Sequence, residues 1–506
     1  MITVELGDGY VRVTPTVPPC LRHALSYYHR YRDGRRYVGE QRDVYVTEHI
    51  PLADQSIGEM LCAPPGTIWR VRETLKAYNV PHRVIDRRTP LPRIDPRKAI
   101  PYLRGYQVRP LLELLLAGGG IGKYPTGFGK THLIGAMLRS INRDDLIARG
   151  TPLCVVAVDS KDINKKNYLS LRDILKEREV GICMSGANRF TEDIMCVTLD
   201  SLERVEPASI GVLIVDEAHS GGSETRSEKI NMATKAIKWG VSASPLGRSD
   251  GSDLITESVL GPVVSTRTYQ DGVECGALVP IKVFMIPSPP PRTWRADVHR
   301  DTKVRDGITR NAPMYDEIAR LLRMVPDEIQ TLVLAPHVEN LDKLRERLPD
   351  LPVVHAETSA DSLMVKGFIN VPPVSAADRA EAYEKMESGE WRQCASTYVY
   401  KQGVDFPGLG LVIVPGGGGS EIVFTQIPGR ASRNIDGKDY AYLVDFTRPW
   451  DKIVELPSGL ANAKPKVKDG PLCRNDKERK RVYRKLGFEV IELSSIDQLP
   501  FLEGGQ

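Results

Sequence analysis

Pro125-Thr126-Gly127-Phe128-Gly129-Lys130-Thr131 is the stretch of this sequence whose residue types and spacing are best suited to chemistry. Two glycines run directly into a helix-compatible segment, Leu133 to Leu138, so successive backbone N–H groups can converge on a polyphosphate. The helix N-terminus adds a favourable dipole. In such a loop Thr126, Gly127 and Gly129 cradle the phosphates, Lys130 reaches the β- and γ-phosphates, and the Thr131 hydroxyl binds Mg²⁺. Farther on, the apolar run Val212-Leu213-Ile214-Val215 ends in Asp216-Glu217-Ala218-His219. At the end of a strand, Asp216 can hold Mg²⁺ through water while Glu217 orients and deprotonates an attacking water. An isolated pair of carboxylates is ordinarily a surface charge pair. Behind a buried strand, and paired with a phosphate loop, it reads as half of a nucleotide-hydrolysing site.

The elements that must position these residues are those of an α/β protein. Cys154 to Val158 and Val212 to Val215 are continuous apolar runs, as expected of parallel strands covered on both faces. A second α/β series follows, with strands expected at Thr331 to Ala335, Leu409 to Pro415 and Tyr440 to Phe446, and a helix over Val338 to Leu348. Before the first series, alternation at Ile2 to Leu6 and Tyr10 to Val13, helical spacing from Ile68 to Tyr78, and a strand-like Pro81 to Ile85 describe a small α+β module. The proline run Pro287 to Pro291 marks a linker. The expected organisation is an accessory α+β domain over 1–97, α/β domains over 98–286 and 287–455, and a basic extension over 456–506. That extension is expected to hold one helix, Asp476 to Leu486, and a short strand, Phe488 to Leu493.

Length and composition agree with this division. A chain of 506 residues is too long for one hydrophobic core, and 41% hydrophobic with 26% charged residues is an ordinary globular balance. No apolar run is long enough to cross a bilayer and the first residues lack a signal-peptide pattern, so a cytoplasmic protein without a membrane partner is expected. The eight cysteines show no paired metal-ligand spacing and read as small buried hydrophobes. A net charge of +4 is mild, but arginines cluster at Arg30 to Arg36 and Arg83 to Arg88, and basic residues recur from Lys464 to Lys485. Both ends could neutralise phosphates.

With the phosphate loop and the Asp-Glu-Ala-His strand in place, residues 98 to 450 resemble superfamily 2 helicases of the DEAH type, in the branch of XPB, UvsW and RecG. The resemblance is nearest to phage recombination helicases that migrate branches. Leu103-Arg104-Gly105-Tyr106-Gln107 is similar to the branch's adenine-reading element, which implies nucleotide contacts from Arg104 and Gln107. Tyr124, where generic phosphate loops have their first glycine, occupies a position that varies among helicases. Val197 to Leu202 is similar to motif Ib, implying a nucleic-acid backbone contact at Thr198. Val158-Asp159-Ser160-Lys161 stands in place of the usual motif Ia and would contribute Lys161. Val241 to Pro245, followed by Arg248 and Asp250-Gly251, resembles motif III, in which Ser242 and Ser244 couple phosphate state to domain closure.

In the second α/β series Ser396-Thr397 with Gln402 to Pro407 is similar to motif V, implying nucleotide contacts from Gly403 and Asp405 and a nucleic-acid contact from Thr397. Gln426 to Arg433 fits motif VI. There Arg430 and Arg433 act as fingers on the transferring phosphoryl group, and Gln426 senses it and contacts the motif around His219. The segment between His355 and Arg379 is long for the family, with Gly367 to Pro373 as an inserted surface loop.

The resemblance implies two tandem RecA-like domains that use ATP and Mg²⁺. Their cleft closes on ATP and opens on hydrolysis, which moves the protein along nucleic acid. It implies a DNA helicase acting on forked or junction DNA in recombination, repair or replication, with recombination or single-strand-binding proteins as possible partners. A duplex translocase of a restriction or defence system, and an RNA helicase, are the alternatives. No nuclease-like cluster stands out to favour the former.

Overall fold

The computed structural model describes the chain except for residues 34–35, 52–55, 248–249, 296–297, 357, 398–405, 407, 417–430, 433, 435–437, 456–465 and 506. The chain divides into two units, Met1–Thr268 and Tyr269–Gln506.

The first unit is built on an eight-stranded sheet. Its order is Ala187–Arg189, Val180–Met184, Ile194–Thr198, Leu153–Val158, Ile210–Asp216, Ile237–Ser242, Gly120–Lys123 and Val263–Thr266. Every pair is parallel except the first, a short antiparallel edge. Ile210–Asp216 and Leu153–Val158 are buried at every position, which is why they read as unbroken apolar runs rather than alternating ones. Helices Gly105–Ala117, Lys130–Ser140, Lys161–Ile174 and Asp253–Leu260 accompany the sheet. Trp239, fully buried, donates its Nε1–H to the Leu114 carbonyl at 2.9 Å and so ties a central strand to the first of these helices.

The N-terminal module forms its own five-stranded sheet in the order Val46–Pro51, Ile57–Ala63, Tyr10–Thr14, Ile2–Gly7, His82–Asp86. All its pairs are antiparallel except the last. Val71 and Leu75 of helix Ile68–Ala77 close its core against Val4, Val11, Val13 and Leu61. A separate hairpin, Ser26–Asp33 with Arg36–Asp43, projects no alternating pattern in the sequence, which hides it from periodicity. The module is seated on helix Asp253–Leu260 of the larger sheet. A Cβ at Gly66 would lie 2.5 Å from the Glu257 and Ser258 carbonyls, and Arg70 pairs with Glu257. Only glycine permits that approach.

The second unit has a seven-stranded, all-parallel sheet, ordered Val353–Val354, Gln393–Thr397, Gln330–Ala335, Leu409–Val414, Ala441–Thr447, Ile281–Pro287 and Glu489–Glu492. Two expected boundaries move. Ile281–Pro287 pairs with Ala441–Thr447, so the division falls at Thr268/Tyr269, and the proline run lies inside the second unit rather than between domains. Prolines end a strand whether or not a domain ends there. Likewise the segment after 455 is not merely appended: Glu489–Glu492 is an edge strand of this sheet, beside Ile281–Pro287.

The helix expected from Asp476 begins earlier, at Pro471, with proline in the first turn where its missing N–H costs nothing. One face of this helix is buried. Arg479 donates to Asp445 at 2.7 and 2.8 Å and to Asp476 at 2.8 Å, with Arg479 and Asp445 both fully buried. Tyr483 adds an O–H donor to Asp445 at 2.9 Å. Arg479 is therefore a core residue, while Lys477 and Arg481 on the same helix stay exposed. The inserted segment after His355 holds helix Ala360–Val365 and is fastened by Asn370 N–H donating to Asp342 at 2.8 Å. No helix among the described residues is long and apolar enough to cross a membrane.

Candidate active site

Phosphate-loop residues stand between strand Gly120–Lys123 and helix Lys130–Ser140, at the C-terminal ends of the parallel strands. Gly127 and Gly129 adopt left-handed backbone, φ +86° and +87°. That conformation turns successive amides the same way, and a side chain there would be strained. Lys130 is the first residue of the helix, and Thr131 follows it, half-buried. Gln107 is buried behind the loop, where its Nε2 donates to the carbonyls of Phe128 at 3.1 Å and Gly129 at 3.2 Å. Its Oε1 accepts the Arg104 N–H at 3.2 Å, and Arg104 Nη1 donates to the Tyr106 hydroxyl at 3.1 Å. Phe128 stacks on the buried Tyr124 ring at 5.5 Å and meets Tyr106 edge-on at 5.0 Å. Tyr124, in place of a glycine, thus supports the loop from beneath.

A Cβ at Gly129 would come within 2.5 Å of Gln107 Nε2, in addition to the positive φ. Gly129→Ala should therefore weaken nucleotide affinity by about tenfold, the equivalent of about 1–2 kcal/mol of left-handed strain. Titration with a fluorescent nucleotide reads this directly, and unchanged affinity would contradict the packing described.

At the end of strand Ile210–Asp216, separated from the loop's strand by Ile237–Ser242, Asp216 is buried and Glu217 half-buried. Burial raises the Asp216 carboxyl above its ordinary value. The charge on Glu217 adds to this, while Lys130, the Asn167 side chain and the Glu217 backbone N–H oppose it. Asn167 Nδ2 donates to Asp216 at 2.9 Å, and the Glu217 N–H donates to the other oxygen at 3.0 Å. A carboxylate so desolvated, with one ammonium nearby, is suited to a cation.

Glu217 is one of two non-glycine residues with positive φ among the described residues, at 56°. Holding it there costs about 1–2 kcal/mol. The strain places its carboxylate between Lys130 Nζ, at 3.9 Å, and Ser242, whose hydroxyl donates at 3.1 Å. Ser242 also accepts the Ser244 N–H at 3.2 Å, and His219 Nδ1 lies 3.2 Å from its oxygen. A fully buried serine thus links the carboxylate to the histidine and to the loop after strand Ile237–Ser242. Lys130, Asp216, Glu217, His219 and Ser242, all expected from the sequence, are brought together. Asn167 was not expected. Its signal is two asparagines, Asn164 and Asn167, on the buried face of helix Lys161–Ile174, which a purely apolar face would not carry.

The other expected residues are placed as follows. Thr126 is half-buried in the loop. Lys161 is exposed at the N-terminus of helix Lys161–Ile174. Thr198 is buried at the end of strand Ile194–Thr198 and donates its hydroxyl to Ser201 at 3.0 Å. In the second unit Thr397 is buried at the end of Gln393–Thr397. Gly403, Asp405, Gln426, Arg430 and Arg433 lie outside the described residues, as does Arg248.

Residues 103–246 match the family model described as type III restriction enzyme, res subunit. Among curated proteins the chain is similar to "DNA 3'-5' translocase XPB2" of Sulfurisphaera tokodaii, 27% identical over 368 residues, covering 66% of this chain and 79% of that protein. It is also similar to "Putative helicase 22" of a Sulfolobus islandicus filamentous virus, 23% identical over 380 residues, covering 70% of this chain and 65% of the relative. Among solved structures, the DNA-bound type ISP restriction-modification enzyme LlaBIII superposes with a TM-score of 0.52 at 14% identity, over 86% of this chain and 35% of that one. The chain thus spans about a third of the restriction enzyme, and their likeness is one of fold. The architecture is that of tandem RecA-like domains, and the matched segment with its two relatives supports a motor of the superfamily 2 helicase and translocase kind.

Proposed function

We propose that this chain is an ATP-dependent DNA motor that remodels branched DNA, by fork regression, branch migration or unwinding of D- and R-loops. The observation that carries the proposal is the gathering of Lys130, Asp216, Glu217, Ser242 and His219 at neighbouring strand ends beside a left-handed phosphate loop. ATP supplies a transferable phosphoryl group and Mg²⁺ neutralises its charge. The residues present fit both. The loop amides and Lys130 would hold the phosphates, and Thr131 and Asp216 would hold the metal. Gln107 and Arg104 lie behind and beside the loop, where they would meet the base. Glu217 would take the proton of the attacking water, with Ser242 and His219 fixing its carboxylate.

DNA as the substrate rests on the named translocase relative and on the distribution of exposed cations. Lys161 and Lys165 are exposed on helix Lys161–Ile174, and Arg83 and Arg87 are exposed on and just after the N-terminal module's edge strand His82–Asp86. Such contacts go to phosphates, so binding should show little sequence preference and fall steeply with salt. In this proposal the N-terminal module is the contact to the junction of branched DNA.

A strand-exchange assay tests it. Forked and four-way-junction DNA should be converted to new duplex products with ATP and not with a non-hydrolysable analogue. Arg83→Glu with Arg87→Glu should reduce that conversion while leaving nucleotide affinity unchanged. Junctions left intact in ATP, while flush duplex supports equal hydrolysis, would point instead to a translocase that does not read branches.

A further inference from the structure

Away from the phosphate loop, the first unit has a half-open cavity of about 240 Å³ where the N-terminal module meets the motor sheet. Asp8, Trp69 and Arg88 line it from the module, and Arg149, Lys235 and Lys238 from the motor. Lys238 is the second residue of strand Ile237–Ser242 and pairs with Leu213. Paired residues share a sheet face, so Lys238 lies on the face of Leu213, Val259 and Leu260. Val259 and Leu260 line the same cavity. Lys238 stands at the start of its strand, and the phosphate loop and Asp216 belong to the strands' other ends.

Three side chains here carry N–H groups that have no hydrogen-bond partner among the described residues. Lys238 is 7% exposed, and its Nζ has no hydrogen-bond partner among the described residues. Arg149 donates Nη2 to the Lys235 carbonyl at 3.2 Å, but its buried Nε and Nη1 have no partner. The Trp69 indole N–H is buried without one as well. The cavity's carboxylate, Asp8, already accepts the Thr89 N–H and hydroxyl, and Arg88 is engaged by Asp86. Buried donors without acceptors are costly, and an ammonium most of all. Burial pushes the Lys238 ammonium down to about 7. A ligand with several anionic oxygens would satisfy donors from three side chains that line one cavity and restore the charge on the lysine.

We propose that this cavity is a second phosphate site, separate from the nucleotide loop, which takes a small phosphate-bearing ligand held by Lys238, Arg149 and Trp69. Both the module and the motor furnish its walls, so occupancy ties the seat of one to the other. A cavity of this size admits a phosphate or pyrophosphate group and excludes a duplex. The group can come from a free small molecule or from the terminal phosphate of a nucleic-acid strand.

The test uses full-length Lys130→Ala protein, which cripples the nucleotide loop, titrated with inorganic phosphate and pyrophosphate. Binding is followed by tryptophan emission and by ³¹P line broadening. Saturable binding is expected, weakened at least tenfold by adding Lys238→Met and also by adding Arg149→Met. Trp69→Phe should remove most of the emission change. Without ligand, Lys238→Met should melt at a higher temperature than its parent, because it removes a buried unpartnered amine. Comparing 5′-phosphorylated with 5′-hydroxyl oligonucleotides separates the sources: a Lys238-dependent preference for the former assigns a strand end, and equal affinity assigns a free ligand. No binding of either probe, or binding insensitive to both Lys238→Met and Arg149→Met, would overturn the proposal.

Discussion

Glu217→Gln should bind nucleotide as wild type does and turn it over about 10²–10⁴-fold more slowly, the contribution expected of a positioned general base. The substitution keeps the shape of the side chain and the position of its hydrogen bond with Ser242, while removing the group that can accept a proton. Nucleotide affinity is carried by the phosphate loop, which the change does not touch. Loss of the carboxylate also relieves Lys130 of its neighbour at 3.9 Å, so binding should be unimpaired. The measurement is a pair: a fluorescent-nucleotide titration and single-turnover hydrolysis. A parallel fall in affinity and rate would mean that Glu217 shapes the pocket rather than the chemistry. Hydrolysis at the wild-type rate would remove it from the mechanism.

Arg479→Met should destabilise the second unit by about 3–5 kcal/mol, the usual consequence of leaving a buried charge without its partner. Asp445 and Arg479 are both fully buried, and Arg479 also holds Asp476. Removing the guanidinium leaves two carboxylates facing only the guanidinium of Arg448, whose pKa burial lowers from its ordinary value. Urea unfolding followed by tryptophan emission reads the loss, because Trp294 and Trp450 contact each other in this unit at 4.7 Å. Asp445→Asn combined with Arg479→Met should recover part of it, since the double change removes both ends of the pair. A midpoint unchanged by Arg479→Met would mean that the helix Pro471–Lys485 is not held by this cluster.

These two expectations differ in how far the sequence alone reveals them. Glu217 follows from a local pattern, an apolar run that ends in two carboxylates, and the parallel sheet behind it follows from the same runs. Lys130, Gly127 and Gly129 are equally local, because the loop's geometry is written in glycines next to a helix. Arg479 is the opposite case. In the sequence it belongs to a basic stretch that could neutralise phosphates, and its partner Asp445 is 34 positions away. No charge count along the chain distinguishes a solvated arginine from one buried by a distant carboxylate. Lys238 was invisible for the same reason: it sits inside a strand whose other residues are apolar or small, and only its burial reveals it. Asn167 lies between these cases, legible as a polar residue on a buried helix face but not assignable to Asp216 without the fold. The proline run misled because it ends a strand that begins, rather than precedes, the second sheet.

ATP hydrolysis should be measured with wild type and Lys130→Ala in parallel, across single-stranded, duplex, forked and four-way-junction DNA and single-stranded RNA. Branch-directed remodelling requires hydrolysis that is stimulated most by forks and junctions in the wild type and by nothing in Lys130→Ala. Stimulation by RNA alone, or hydrolysis that persists in Lys130→Ala, would contradict it.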